Sequence, residues 1–174
     1  MPDPRILFVC HGNVARSPAA ELLARARFGG LGWEFGSCGI GALVGEGVTE
    51  TVAAELRGRG VDPSPHRARQ AERGLLQDAT LVLTMERYQR AWILDEWPDL
   101  AGRTLVLGQA VRLREQAARR VDPLAHLELH QGRAVADDDV ADPFRRGPAA
   151  ARTAVAEIER ALDRLLPWLG PARA

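Results

Sequence analysis

A cysteine and an arginine lie close together in the stretch VCHGNVARSP, which covers residues 9–18. Five residues separate Cys10 from Arg16, and Ser17 follows directly. A loop of this length between a strand and a helix can curl so that successive backbone N–H groups point inward and hold an anion. The positive end of the following helix and the planar, always charged guanidinium of Arg16 favour the same guest. The spacing therefore predicts a site for a tetrahedral oxyanion such as phosphate.

Cys10 would lie at the floor of that site, where its surroundings favour the thiolate. Inward N–H groups, the helix end and Arg16 all stabilise a negative sulfur, and the Ser17 hydroxyl can donate to it. A thiolate beneath a bound phosphate is a nucleophile directed at phosphorus. Gly12 and Asn13 supply the unusual backbone conformations that a tight loop needs, and Asn13 is the only asparagine in the chain.

This chemistry also needs a proton for the leaving oxygen and a base to activate water. The best candidate is Asp142 in VADPFRRG, where Pro143 favours an extended backbone and Phe144 can line the cleft beside an aromatic substrate. We predict Cys10, Arg16 and Asp142 as the catalytic residues. The predicted residues for binding phosphate and substrate are His11, Gly12, Asn13, Val14, Ala15, Arg16, Ser17 and Phe144.

Short apolar runs alternate with helical patterns along the chain, which indicates an α/β domain with a parallel sheet. Strands are predicted at 5–10, 33–37, 79–85 and 103–107. Helices are predicted from Pro18, with Ser17 as N-cap, to the glycines at 29–30, and at 50–59, 86–95 and 149–166. Because ligands bind beyond the carboxyl ends of parallel strands, the loop that begins at Cys10 is in the expected place.

One long segment, residues 109–140, fits no simple connection between two elements. It contains Pro123 and an acidic run, Asp137 to Asp139. We expect a partly helical excursion that ends in a flexible loop, with the acidic run as a mobile lip.

The composition suits one domain covering residues 1–174. Twenty-three acidic and 23 basic residues balance, with no long basic run, so nucleic acid and anionic membranes are not expected as partners. No apolar stretch is long enough to span a bilayer, and the first strand begins too early for a signal peptide. Two cysteines make no disulfide framework, so we expect a cytoplasmic protein. Every basic residue is arginine, which is typical of a GC-rich bacterial genome.

The stretch FVCHGNVARSPAAELL resembles the signature of the low-molecular-weight protein-tyrosine phosphatases, which usually read C-x-G-N-x-C-R-S-P. The likeness continues in order along most of the chain. SCGIGA at 37–42 is similar to the family's Ser-Ala-Gly-Thr segment, and GVDPSPHRARQ at 60–70 to its S-x-H-R-A-R segment. ATLVLTM at 79–85, DPF at 142–144 and the final helix resemble the next strand, the general-acid motif and the last helix of the family.

The resemblance implies a four-stranded parallel sheet flanked by helices on both faces, and a phosphatase that needs no metal or cofactor. It implies that Cys10 forms a phosphocysteine intermediate, that Arg16 clamps the phosphate, and that Asp142 acts as acid and then as base. Asn13 and Ser17 would organise the loop and stabilise the thiolate, with Ser37 behind them. The implied substrate is a phosphotyrosine-containing protein or a small aryl phosphate, and the product is inorganic phosphate.

Four positions bear on how closely the chain follows the family. Ala15 replaces the usual second cysteine, which protects the nucleophile as a reversible disulfide, and Ile40 stands where threonine is common. Arg145 follows Phe144 where many relatives carry glycine or a second tyrosine. Val14 resembles the phosphotyrosine branch, whereas relatives specific for phosphoarginine carry threonine there.

Two other functions fit parts of this pattern. An arsenate reductase on the same fold would use Cys10 with an external or non-adjacent thiol, since residues 84–104 contain no cysteine. A binding module that has lost turnover would not need Cys10, Arg16 and Asp142 together, which argues against it.

Several residues allow a structural and a functional interpretation. Cys38 fits a packed core residue, with a redox partner of Cys10 as the alternative. His126 and His130 could share one helix face for zinc, but a solvated face is favoured because no third ligand is evident. His66, Arg67 and Arg69 are interpreted as bracing a loop.

Overall fold

A four-stranded parallel sheet organises residues 3–172, the part of the chain that the computed structural model describes. Its strands are β1 (Arg5–Cys10), β2 (Glu34–Gly39), β3 (Leu81–Thr84) and β4 (Thr104–Val106), in the spatial order β2–β1–β3–β4. The helices are α1 (Arg16–Phe28), α2 (Glu50–Arg57), α3 (Arg73–Gln77), α4 (Arg87–Glu96), α5 (Leu107–Gln116), α6 (Pro123–His130) and α7 (Gly147–Leu169). Short 3₁₀ turns occupy Gly29–Leu31, Pro98–Arg103 and Ala136–Asp138.

The sheet buries both of its faces under helices. Alternation along β1 sends Ile6, Phe8 and Cys10 into one core, and Leu7 and Val9 into a second core on the other face. The first core also takes apolar side chains from α1, α2, α5 and α7, and the second takes them from α3 and α4. The fold is therefore the single α/β domain with helices on both faces that the sequence predicts.

The order of the strands places a crevice beside Cys10. β1 pairs with β2 on one side and with β3 on the other, both in parallel. The chain therefore leaves β1 toward one edge of the sheet and later continues through β3 and β4 toward the opposite edge. Ligands of open α/β sheets bind at such a switch point, beyond the carboxyl ends of the strands.

Ser17 is not the N-cap of α1, contrary to the sequence prediction. The helix begins at Arg16, and the residue at the cap position is Ala15, which makes no side-chain capping bond. The Ser17 hydroxyl is instead engaged by Cys10 and Asn13 in the preceding loop. At β4 the predicted strand is too long, because Leu107 already begins α5.

The acidic run is an anchored turn and not a mobile lip. Asp138 is 3% exposed, and its two carboxylate oxygens accept from Nε and Nη2 of Arg112 on α5 at 3.0 and 2.8 Å. Asp139 accepts from the backbone N–H and Nε of Arg87 at the start of α4, at 2.8 and 3.0 Å. The prediction of mobility was wrong because arginines distant in sequence neutralise these carboxylates. No helix in the described part of the chain is long and apolar enough to cross a membrane.

Candidate active site

The loop from Cys10 to Ser17, called the anion loop below, is held by its carbonyl groups. Five consecutive carbonyl oxygens, those of residues 10–14, each accept a hydrogen bond from a residue outside the loop. The donors are Ile40 N at 3.1 Å, Gly41 N at 3.0 Å, Leu43 N at 3.0 Å, His66 Nε2 at 2.7 Å and Thr49 N at 2.8 Å. The surrounding protein therefore fixes every peptide plane along this stretch.

The amide groups of the same planes are left for a ligand. In a trans peptide the N–H points away from the preceding carbonyl, so carbonyls turned outward leave the N–H groups facing the inside of the loop. No backbone N–H from Gly12 to Ala15 donates to another residue in the range 3–172. The anion loop therefore has the form of an anion-binding nest, as its length predicts.

Asn13 ties the anion loop to the layer behind it. Its backbone is left-handed, with φ 55°, and it is fully buried. Its amide nitrogen donates to the hydroxyls of Ser17 and Ser37, both at 2.9 Å, and its amide oxygen accepts from Arg69 N at 2.9 Å. Ser37 in turn donates to Glu21 Oε2 at 2.5 Å. The side chain is thus satisfied only in this loop geometry.

His66 braces the loop from a second direction. Its Nε2 lies 2.7 Å from the carbonyl oxygen of Asn13, which can only accept, so Nε2 carries the proton. Burial lowers the pKa of His66, and this outweighs the opposing effect of the bond to Asn13. A neutral imidazole protonated on Nε2 therefore supports the loop. His66 and Arg69 brace the loop as the sequence indicated. Within residues 3–172, Arg67 instead bonds to the nearby carbonyls of Ser64 and His66.

Two glycines outside the anion loop, Gly39 and Gly41, allow the chain at and after the end of β2 to pack closely against that loop. Gly12 has no left-handed backbone, and a Cβ there would meet Val14 only at 3.5 Å, an ordinary contact. The predicted special conformation of Gly12 is therefore wrong. A Cβ at Gly39 would collide with the carbonyl of His11 and come within 2.9 Å of Asn13 N, while one at Gly41 would lie 2.8 Å from the His11 ring.

Cys10 lies at the floor of the loop, 2% exposed, with its Sγ 3.0 Å from the Ser17 hydroxyl. That hydroxyl already accepts from the amide of Asn13, so its single proton is free to be donated. Its acceptors are the sulfur of Cys10 and, at 3.3 Å, the carbonyl of Cys38. The shorter contact favours the sulfur, where a donated proton stabilises a thiolate.

Arg16 is buried with three acidic groups around it. Its Nη1 donates to the Glu86 carboxylate and to Val140 O, the latter at 2.8 Å, and its Nη2 lies 3.3 Å from Asp142 Oδ2. Burial opposes the charged form, but negative charge at Cys10, Glu86 and Asp142 outweighs it and raises the pKa of Arg16. Its Nε is buried without a partner among residues 3–172, so this donor is free to bind an anion.

Asp142 reaches the same cavity as Cys10, although 132 positions separate them in sequence. Its carboxylate is 39% exposed, and Oδ1 accepts from Phe144 N at 3.1 Å. The cavity has a volume of about 250 Å³. It is lined by Cys10, His11, Gly12, Val14, Ala15, Arg16, Gly41, Leu43, Asp142 and Phe144.

Sequence reasoning missed Glu86, Gly41 and Leu43 at this site. Glu86 follows β3 by two residues, and the carboxyl end of β3 lies next to that of β1. Its place just after a strand that neighbours β1 could have indicated from the sequence that Glu86 lies near Cys10. Gly41 and Leu43 follow β2 and are bonded to the anion loop through their backbone, for which the side-chain types give no signal.

Cys38 lies on the far side of the sheet from Cys10. It is paired with Val9 in register and belongs to the core of Leu7 and Val9, whereas Cys10 belongs to the opposite core. Burial raises the pKa of the Cys38 thiol to about 12. An inert thiol on the other face cannot form a disulfide with Cys10 without disruption of the strand pair.

The histidines of α6 serve packing in this structure. His126 Nε2 bonds to the carbonyl of Leu113 at 3.0 Å, and its ring packs edge-on against Trp168. The rings of His126 and His130 lie 4.6 Å apart. No group of three or more His, Cys, Asp or Glu side chains within residues 3–172 has an arrangement that could hold a metal ion.

An α/β sheet that brings a cysteine loop, an arginine and an aspartate to one cavity suits an enzyme that binds a tetrahedral oxyanion. Residues 5–173 match the family of the low molecular weight phosphotyrosine protein phosphatases, and the chain belongs to that family. Its activity is therefore that of a phosphoric monoester hydrolase.

Both a protein-tyrosine-phosphatase and a protein-arginine-phosphatase are similar to this chain. The low molecular weight protein-tyrosine-phosphatase Ptp of Acinetobacter johnsonii is 37% identical over 108 residues, 62% of this chain and 75% of that protein. The protein-arginine-phosphatase of Geobacillus stearothermophilus is 31% identical over 162 residues, 92% of this chain and 93% of that protein. The structure of the YwlE arginine phosphatase from the same organism matches with a TM-score of 0.77 and 29% identity, covering 94% and 91% of the two chains.

Proposed function

We propose that this protein hydrolyses phosphotyrosine and aryl phosphate monoesters through a phosphocysteine intermediate. The observation that carries the proposal is the position of the Cys10 sulfur. It lies 3.0 Å from the Ser17 hydroxyl at the floor of a cavity that also contains Arg16 and Asp142. A nucleophile, an anion clamp and an acid thus share one space.

In the first step the Cys10 thiolate attacks phosphorus. The P–S bond forms while the P–O bond to the tyrosine ring breaks, and protonated Asp142 gives its proton to the departing phenol oxygen. The inward N–H groups of the anion loop and the free Nε of Arg16 donate to the phosphoryl oxygens. Because these donors are already fixed, they stabilise the developing charge without reorganisation.

In the second step a water molecule hydrolyses the phosphocysteine. Asp142, now a carboxylate, takes a proton from water as the water oxygen attacks phosphorus and the P–S bond breaks. Inorganic phosphate leaves, and the thiolate is restored with the Ser17 hydroxyl beside it. The pairing of Asp142 Oδ2 with Arg16 Nη2 at 3.3 Å puts acid and clamp at adjoining positions.

The cavity walls favour an aromatic ring over a guanidinium group. Val14, Leu43 and Phe144 line the cavity, and their side chains offer no hydrogen-bonding group. A flat ring beside Leu43 and Phe144 gains apolar contact, whereas these three side chains offer no acceptor to a charged guanidinium, for which the carboxylate of Asp142 would have to serve. The two cysteines are free and unpaired, in keeping with the proposed cytoplasmic location.

Kinetics on two matched peptides test the proposed specificity. One peptide carries phosphotyrosine and the other carries phosphoarginine at the same position. We expect kcat/KM on the phosphotyrosine peptide to be at least about tenfold higher, a difference of about 1.4 kcal/mol in transition-state binding. The Val14→Thr variant should reduce the ratio because it adds a polar group to the wall. A higher kcat/KM on phosphoarginine would overturn the tyrosine assignment.

Arsenate reduction is the second candidate, and it needs a thiol that the structure does not supply. Cys38 is buried on the opposite face of the sheet from Cys10. A route through Cys38 should therefore be absent, so that any reduction of arsenate with glutathione or thioredoxin as donor is unchanged in Cys38→Ala. Reduction that is present in wild type and lost in Cys38→Ala would favour the reductase.

A further inference from the structure

Arg145 has a backbone conformation that does not suit an arginine. It follows Phe144 at the mouth of the cavity, is exposed, and has φ 58°, in the left-handed region that favours glycine. A non-glycine residue in this region costs conformational energy, and such residues often lie at functional sites. The backbone conformation would favour glycine at position 145, so the reason for an arginine there must lie in the contacts and charge of its side chain.

The Arg145 guanidinium packs on Phe144, a residue that lines the cavity. Its Cζ lies 5.1 Å from the centroid of the Phe144 ring, a cation–π contact. Phe144 itself lines the cavity with Cys10, and its backbone N–H donates to Asp142 at 3.1 Å. The charge of Arg145 thus lies against Phe144, at the rim of the cavity that Phe144 lines.

The charge at this rim is not neutralised by the protein. Neither Arg145 nor Arg146 forms an ion pair with any residue in the range 3–172, and both are exposed. By contrast, Arg16 and Arg87 nearby are matched to carboxylates of the protein. Leu43, which also lines the cavity, is 45% exposed and apolar. The surroundings of the cavity therefore combine unpaired positive charge with exposed apolar surface.

We propose that Arg145, assisted by Arg146, selects phosphotyrosine peptides with acidic residues beside the phosphotyrosine. The proposal rests on the phosphotyrosine phosphatase function and adds its substrate class. With the phosphotyrosine ring beside Leu43 and Phe144, the neighbouring residues of the peptide pass over the rim. A carboxylate there can pair with the guanidinium of Arg145, which has no partner carboxylate among residues 3–172 and is oriented by its contact with Phe144.

The test compares two phosphotyrosine peptides. One has glutamates on both sides of the phosphotyrosine, and the other has alanines at those positions. Wild type should hydrolyse the acidic peptide with a kcat/KM about fivefold higher, the size expected for an exposed charge pair. The preference should shrink at high salt because the pair is screened. Arg145→Gln should bring the ratio close to one, and Arg145→Glu should reverse it.

Arg160→Gln is the matched control, since Arg160 is an exposed arginine near the middle of α7, about 20 Å along the helix from its start. It should keep the wild-type ratio. A ratio of one in wild type, or an unchanged ratio in Arg145→Gln, would overturn the proposal while leaving the phosphatase function intact. Failure of wild type to hydrolyse both peptides and para-nitrophenyl phosphate would instead remove the proposed function.

Discussion

The anion loop and the acid loop, residues 138–146, meet at one cavity but are held in different ways. The anion loop is buried and braced from behind by five outward carbonyl bonds and by the side chain of Asn13. The acid loop is anchored at its start by Asp138 and Asp139, beyond which the Asp142 carboxylate is 39% exposed. The phosphate cradle is therefore rigid, whereas the acid lies on a segment with fewer supports.

This difference has a consequence for binding. Asp142 pairs with Nη2 of Arg16 at 3.3 Å, and Arg16 is the residue that we propose clamps the phosphate. An incoming phosphate competes with Asp142 for that arginine. Glu86 and Val140 O remain on Nη1 and keep the guanidinium in place while Asp142 changes partner. A fixed arginine and a movable carboxylate thus suit a residue that acts as acid and then as base.

Among substitutions that change how the two loops are held, the largest effect should come from Asn13→Ala. The substitution removes three buried hydrogen bonds and leaves alanine in a left-handed conformation, which should cost roughly 3 kcal/mol of unfolding free energy. A displaced anion loop should lower kcat/KM on the order of 100-fold. Urea denaturation and steady-state kinetics measure both quantities.

Asn13→Gly separates the two contributions, because glycine accepts the backbone conformation but lacks the amide. It should be more stable than Asn13→Ala and just as inactive. Activity close to wild type in Asn13→Gly would show that the amide network does not hold the loop.

A smaller effect should follow from Arg112→Gln in the anchor of the acid loop. The buried Asp138 would lose two charge-assisted bonds, at a cost of about 2 kcal/mol. A displaced acid should lower kcat/KM, which reports formation of the phosphocysteine, more for phosphotyrosine than for para-nitrophenyl phosphate, whose good leaving group needs less protonation. Arg114→Gln, an exposed arginine on the same helix, is the control. Equal losses on the two substrates would argue against an anchoring role for Arg112.

The smallest effect should be a pH dependence from His66. Because burial lowers the pKa of His66 in the folded protein, the unfolded chain binds the proton first as the pH falls below about 6.5. Stability should therefore decrease from that pH downward toward the folded pKa, by at most about 1.4 kcal/mol per pH unit. Glu21, Arg67 and Arg69 also act on this histidine.

His66→Gln keeps a donor for the Asn13 carbonyl but does not titrate. Urea midpoints measured at pH 7.5 and 5.5 should differ less in this variant than in wild type. The exposed His130→Gln should keep the wild-type difference. A difference that is the same in all three proteins would exclude His66 as its source.

Local signals in the sequence predicted the contacts of the anion loop better than those of the acid loop. The roles of Asn13 and Ser37 in the anion loop followed from residue type and from family resemblance. The anchoring of Asp138 and Asp139 could not be predicted, because their partners Arg112 and Arg87 are 26 and 52 positions away. Serine commonly caps helices, but the hydroxyl of Ser17 contacts Cys10 and does not cap α1.

Trapping the covalent intermediate tests the central claim most directly. In Asp142→Ala, para-nitrophenyl phosphate should still phosphorylate Cys10, because its leaving group needs little acid, while hydrolysis is slow without the base. Acid quenching and mass spectrometry should then find one phosphoryl group on the peptide that contains Cys10, and none in Cys10→Ala, which has no nucleophile at that position. Turnover that persists in Cys10→Ala, with no phosphoryl group on Cys10 in Asp142→Ala, would contradict the account.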